Sequence, residues 1–224
     1  MKKILIVVAH TDDETLGCGG AIQNHVKNKD KVFAMSFTNG ISARNKYSKQ
    51  DIERRANAAK KVSKLLGFKW IKNLNYPDNK LDQVSLLELI KEIEIVKKII
   101  NPDIVYTHSF SDLNIDHRVI AEATLTAFRP GPKENLKELR SFEVPSSTDF
   151  RMLQDQKIFI PNIFLRINKF WKKKIKALSL YKKEIKPSPN SRSLSGIKNL
   201  MKIRGNHCGC EYAESFQLIR KIEK

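Results

Sequence analysis

The sequence predicts an α/β fold, a Rossmann-like and mostly parallel sheet with helices on both faces and a C-terminal extension packed on the same domain. Three observations predict it. Apolar runs alternate with helical patterns through the first 130 residues, in the order expected of β-α-β units. Turn and stop signals separate them, as in Asn39-Gly40, Gly67 and Asn101-Pro102. Finally, 224 residues, 41% hydrophobic and 29% charged, suffice for one domain with its own core. We read 1–224 as a single domain, with 1–130 as the α/β core and 131–224 as a basic extension.

Taken in order, Lys3–Val8 is a first strand and Thr15–Asn28 a helix opened by small residues. Lys31–Thr38 is a strand closed by Asn39-Gly40, and Asp51–Leu66 a helix stopped by Gly67. Lys69–Leu74 is a short strand followed by a Tyr76-Pro77-Asp78-Asn79 loop, where Asp78 reads as a turn former, with contact to sugar hydroxyls as its other role. Val84–Ile100 is a helix, Asp103–Thr107 a strand and His117–Phe128 a helix. Beyond Arg129-Pro130-Gly131-Pro132 the rhythm loosens: Leu139–Val144 is one more strand, 145–165 reads as irregular, and 186–195 is a Pro/Ser loop between helical stretches. The second half is expected to wrap over one end of the sheet.

No apolar run approaches the roughly 20 residues that a membrane-spanning helix needs. The start, Met1-Lys2-Lys3-Ile4, carries an apolar run too short for a signal peptide, so the expected location is the cytoplasm. Cys18, Cys208 and Cys210 are too few for a disulfide framework and are expected as reduced thiols, with Cys18 in the core. The net charge is +18, and residues 166–204 hold 13 Lys/Arg against one acid, Glu184, so +12 lies there. Lys169, Lys172, Lys173, Lys174 and Lys176 alternate with Phe170, Trp171, Ile175 and Leu178, the pattern of an amphipathic helix with a solvated cationic face. Such a face allows a weak contact with an anionic membrane surface. No nucleic-acid-binding motif accompanies the charge, and no specific nucleic-acid partner is expected.

The chemistry gathers at two strand ends. Val8 runs into Ala9-His10-Thr11-Asp12-Asp13-Glu14, a histidine and three acids. Like charges crowded there repel, and a divalent metal would reverse that cost. Capping of the helix near Glu14 explains one acid and leaves His10 and the second without a role. The second cluster, Tyr106-Thr107-His108-Ser109-Phe110-Ser111-Asp112-Leu113-Asn114-Ile115-Asp116-His117-Arg118, follows Asp103–Thr107 in the same way. Ligands in open α/β sheets bind beyond the carboxyl ends of the strands, so both clusters should meet on one edge. His10, one of the paired acids and His117 would leave a fourth position open for water, the catalytic arrangement for zinc.

Ala9-His10-Thr11-Asp12-Asp13-Glu14 resembles the A-H-P-D-D-E signature of the PIG-L/LmbE-type zinc-dependent N-deacetylases, with Thr11 in place of Pro. Asp112 to Arg118 is similar to that family's second motif, Arg55 to its arginine on the helix after the second strand, and Arg204-Gly205 with Ala213-Glu214-Ser215-Phe216 to a weaker C-terminal signature. The resemblance implies hydrolysis of an N-acetyl group on an amino sugar, of GlcNAc, glycolipid or nucleotide-sugar type, and the basic extension, on charge alone, would fit one that carries phosphate. The resemblance also implies a divalent metal, Zn²⁺ or sometimes Fe²⁺, on His10, Asp13 and His117. Asp12 would be the general base and Asp116 a supporting carboxylate that can also cap its helix. Asn114 stands where several members carry a histidine; an amide can bind an oxyanion or the substrate but cannot deliver a proton. His108 is the histidine nearest to replace it, and it and His207 also read as structural. Arg55 is a candidate for direct catalytic and substrate contact, against a surface role in Glu53-Arg54-Arg55. His25 reads as an ordinary surface histidine.

The other class weighed is a non-catalytic sugar- or nucleotide-binding module. Gly17-Cys18-Gly19-Gly20 lacks the spacing of a dinucleotide loop, and the acids before it would repel a pyrophosphate.

Overall fold

The computed structural model describes residues 1–132, 134–151 and 158–223. β1 (Lys3–Val8) sits in the middle of a sheet and is flanked by β2 (Lys31–Thr38) and β4 (Ile104–His108), both parallel to it. Its side chains alternate between two cores: Ile4, Ile6 and Val8 pack on one face, Leu5, Val7 and Ala9 on the other. Burial on both faces is why this strand reads as an unbroken apolar run. The connecting helices are α1 (Asp13–Lys27), α2 (Lys49–Leu66), α3 (Leu86–Ile100) and α4 (Ile115–Ala127), with β3 (Lys69–Tyr76) at one edge. A Ser48–Asp51 capping box opens α2 and Gly67, at φ 89°, closes it.

The second half extends the sheet rather than wrapping over its end. β5 (Glu138–Phe142) pairs parallel with β4, β6 (Ile163–Arg166) lies at the far edge, and β7 (Ala213–Lys221) runs antiparallel between them. The full order is β3-β2-β1-β4-β5-β7-β6. β6 overlaps the end of the 145–165 stretch expected to be irregular, of which 152–157 lie outside the described residues. α5 (Trp171–Leu178) and α6 (Leu194–Asn206) complete the chain. Among the described residues no helix is long and apolar enough to cross a membrane.

α5 is amphipathic, but its cationic face is not wholly solvated. Lys174 is buried, and its Nζ donates to Leu16 O and to Glu214 Oε1, each at 2.7 Å. Glu214 in turn accepts from the backbone N–H of Gly20 and Ala21, at 2.6 and 2.7 Å. This ion pair grips α1 from the C-terminal half. It needs a helix face without side chains: a Cβ on Gly20 would stand 2.4 Å from Ile167. The glycines of Gly17-Cys18-Gly19-Gly20 therefore serve close packing, and Cys18 is buried beside them.

Candidate metal centre

The strand order reverses between β1 and β4, and the two histidine-bearing loops leave the sheet there, side by side. His10 Nδ1 lies 3.1 Å from Asp13 Oδ2 and 3.1 Å from His117 Nε2, and those two atoms are 3.3 Å apart. All three residues are buried. Bonds of about 2.0–2.1 Å to a tetrahedral ion put neighbouring ligands about 3.4 Å apart, so this triangle fits one face of such a site. Burial pushes the Asp13 carboxyl up, but the charges of His117 and His10 outweigh it and hold it well below its usual value. His117 is raised to about 9: burial lowers it, and the Asp13 and Asp112 charges prevail. The buried carboxylates thus favour positive charge at this cluster.

Each histidine is held from behind. His10 Nε2 lies 2.9 Å from Asp78 Oδ1 and 3.3 Å from Asp116 Oδ2. His117 Nδ1 lies 3.1 Å from Asp112 Oδ2. The supporting carboxylates are themselves fixed. Asp116 accepts the N–H of Asn79 at 2.7 Å and of Leu81 at 3.0 Å, and Asp112 accepts from Thr148 Oγ1 at 2.6 Å and from the Ser147 hydroxyl. Anchored carboxylates behind imidazoles set the ring orientation and tautomer that a metal ligand needs.

Asp12 occupies the N-cap position of α1 with φ 146° and ψ −28°, a sparsely populated backbone conformation, and its side chain makes no capping hydrogen bond. Glu14 secures that backbone by accepting the Asp12 N–H at 2.9 Å, while its other oxygen takes Thr15 Oγ1 and Tyr181 Oη. The third acid of the motif is thus a brace, and burial raises its carboxyl to about 7. The freed Asp12 side chain places Oδ1 2.7 Å from the Arg55 guanidinium. Burial pushes Asp12 up to about 6 against the pull of Arg55. A cavity of about 450 Å³ opens over His10, Asp12 and His117, within the range of small-ligand sites.

Comparison with known proteins shows the family and the fold. The family model for GlcNAc-PI de-N-acetylases (PIG-L) matches residues 5–128, more than half of the chain. The chain belongs to the PIG-L family. The uncharacterized deacetylase YaiS of Escherichia coli K12 is 28% identical over 151 residues, which cover 65% of this chain and 76% of YaiS. Two solved structures share the fold. N,N'-diacetylchitobiose deacetylase from Pyrococcus horikoshii has a TM-score of 0.78 at 20% identity, covering 97% of this chain and 84% of its own. The conserved protein TT1542 from Thermus thermophilus has a TM-score of 0.77 at 21% identity, covering 100% of this chain and 97% of its own.

The other residues singled out in this PIG-L sequence take the following places. Arg55 is buried rather than on the surface, and its donors reach Thr11 Oγ1, Gly40 O, Asp12 and Glu184. Thr11, the departure from the PIG-L signature, thereby gains a partner that proline could not offer. Asn114 caps α4: its Oδ1 accepts from Asp116 N and His117 N, and its Nδ2 donates to Asn79. Capping therefore falls to Asn114 and not to Asp116, which faces His10 rather than the adjoining His117. His108 stacks on His117 with ring centroids 3.9 Å apart, and its Nε2 accepts the Ala9 N–H at 2.9 Å. Burial holds it well below its usual value, so it stands neutral behind His117. His207 is exposed and packs edge-on to Phe164. His25 is half-buried and bound to Asp30 and the Tyr106 hydroxyl, not an ordinary surface histidine.

Three residues of the site take roles that the sequence reading did not give them. Asp78 is more than a turn former, and the signal was its place: β3 ends at Tyr76, on the same sheet edge as His10. Glu184 bridges Arg55 and Arg44, and its signal was being the lone acid in a cationic stretch. Arg192, from the Pro/Ser loop, lies in the cavity wall 3.7 Å from Asp13 Oδ1. One arginine among thirteen basic residues gives no signal of its own.

Proposed function

We propose that this protein is a metal-dependent hydrolase that removes the acetyl group from an N-acetylated amino sugar, with a divalent ion, zinc in the first instance, held by His10, Asp13 and His117. The observation that carries this reading is the triangle of ligand atoms beside a buried, orphaned carboxylate oxygen, Asp12 Oδ2, in a PIG-L chain. Such an ion supplies Lewis-acid polarisation of the acetyl carbonyl and lowers the pKa of water.

The chain's own residues do the rest. Asp12 accepts the proton of the attacking water through Oδ2, since its Oδ1 is committed to Arg55. A C–O bond forms to the acetyl carbon and its C–N bond breaks. The proton held on Asp12 goes to the departing nitrogen, giving acetate and a free amine. Because Asn114 cannot deliver a proton, Asp12 serves as base and then as acid. Arg55 fixes the orientation of Asp12, and Asp78, Asp116 and Asp112 fix the imidazoles. Lys186, exposed at the cavity mouth, supports a substrate that carries phosphate. Three free cysteines agree with a reducing, cytoplasmic setting.

The test combines metal content with acetate release from N-acetylglucosamine-bearing substrates. One ion per chain is expected, lost in His10→Ala and retained in an inactive Asp12→Ala. A wild-type chain that takes up no ion on reconstitution would overturn the reading.

A further inference from the structure

The reaction places negative charge on the acetyl oxygen, and most of the donors around the cavity are already committed, the exposed Lys186 at its mouth excepted. One end of the Asn114 amide caps α4 and the other donates to Asn79 in the loop after β3. Arg55 spends its donors on Thr11, Gly40, Asp12 and Glu184. Arg44 is bound to Glu184, and His108 is behind His117 with its Nε2 taken by a backbone N–H. Arg192 differs. Its side chain makes no hydrogen bond to any described residue, its Nε is buried without a partner, and the nearest carboxylate oxygen, on Asp13, is 3.7 Å away. That distance is beyond hydrogen-bond reach.

The backbone that carries this side chain is held in place. Lys186 N donates to Arg192 O at 3.3 Å, and Arg192 N donates to Asn190 Oδ1 at 2.8 Å. Ser193 caps α6 by accepting the Gly196 N–H at 2.9 Å, which ties the loop to a helix. Gly196 allows the turn to close: a Cβ there would stand 2.6 Å from Ser191 O and 2.7 Å from Asn190 O. A guanidinium in the cavity wall, with its Nε buried and no hydrogen-bond acceptor among the described residues, is arranged for an acceptor on the bound molecule.

We propose that Arg192 is a catalytic residue, whose N–H groups bind the acetyl oxygen as negative charge develops on it. The proposal rests on the deacetylase reading above. Arginine delivers no proton at any working pH, so the role is electrostatic, and proton transfer stays with Asp12. The function that a histidine of the second motif would have served is thereby moved to a loop more than 70 residues downstream of Asn114.

The test compares metal-loaded wild-type protein with Arg192→Ala and Arg192→Lys on one N-acetylglucosamine-bearing substrate, with metal content measured for each. Arg192→Ala should lower kcat by about 10²–10³-fold, the loss typical of a single oxyanion donor, with KM within about threefold and the ion retained. Arg192→Lys, which keeps the charge without the planar fork, should fall between. Added guanidinium ion should restore at least about tenfold of the Arg192→Ala activity. A kcat within about threefold of wild type, a rise in KM alone, or a kcat loss that guanidinium leaves unrepaired would each overturn the proposal. Wild-type protein that releases no acetate removes the reading beneath it, and the inference with it.

Discussion

The two halves of the sheet contribute to the site in different ways. Strands β1 and β4 carry the proposed ligands and base on residues close together in sequence, His10 with Asp12 and Asp13, and Asp112 with His117. The half beyond residue 130 contributes isolated side chains from distant positions: Lys174 and Glu214 on α1, Glu184 on Arg55, Arg192 in the cavity wall. The first half thus carries the proposed chemistry, whereas most of the second half's contacts hold the first in shape. Arg192 is the exception. A basic stretch that composition would assign to solvent or to an anionic partner is spent partly on internal pairing.

The largest effect expected of this division is in the first half. Asp12→Asn should lower kcat by about 10²–10⁴-fold, the usual contribution of a positioned base, while folding and metal content hold. The wild-type kcat/KM should likewise fall as pH drops through about 6, because burial raises the Asp12 carboxyl to that value and only the ionised form accepts a proton. A profile flat to pH 5 would remove Asp12 from the role. The contrasting change is Lys174→Met, which leaves the Glu214 carboxylate buried without its cation. It should cost about 3–5 kcal/mol of stability in urea unfolding and leave kcat per folded molecule within about threefold. A kcat loss without a stability loss would erase the contrast between the halves. Smallest is Asp112→Asn. Weakening the support behind His117 should reduce metal affinity about 10–100-fold, measured by competition with a chelating dye.

The same contrast explains what the sequence made legible. Strand-end clusters are read by proximity: three acids and a histidine in five residues draw attention, and the parallel order puts two such clusters on one edge. Asp78 obeys the same edge rule but sits in a Tyr-Pro-Asp-Asn turn, whose local chemistry already explains an aspartate. Arg192, Lys174 and Glu214 work across separations of 179, 158 and 194 residues from their partners, and no local pattern marks such pairs. β7 escaped because its nine residues, Ala-Glu-Ser-Phe-Gln-Leu-Ile-Arg-Lys, mix buried glutamate and serine with apolar positions, which blurs the alternation of a strand.

The hold of Lys174 and Glu214 on α1 has a consequence for how the chain must be made. Every proposed ligand, the base and Arg55 have been translated once synthesis reaches residue 117, yet the helix that presents Asp13 is gripped at Leu16, Gly20 and Ala21 by residues 174 and 214. Contacts of such long sequence separation form late, because the intervening loop must close first. A nascent chain therefore holds the full set of metal-binding groups before it has the frame to space them. The proposed metal site is expected to reach its final spacing only after residue 214 has been made.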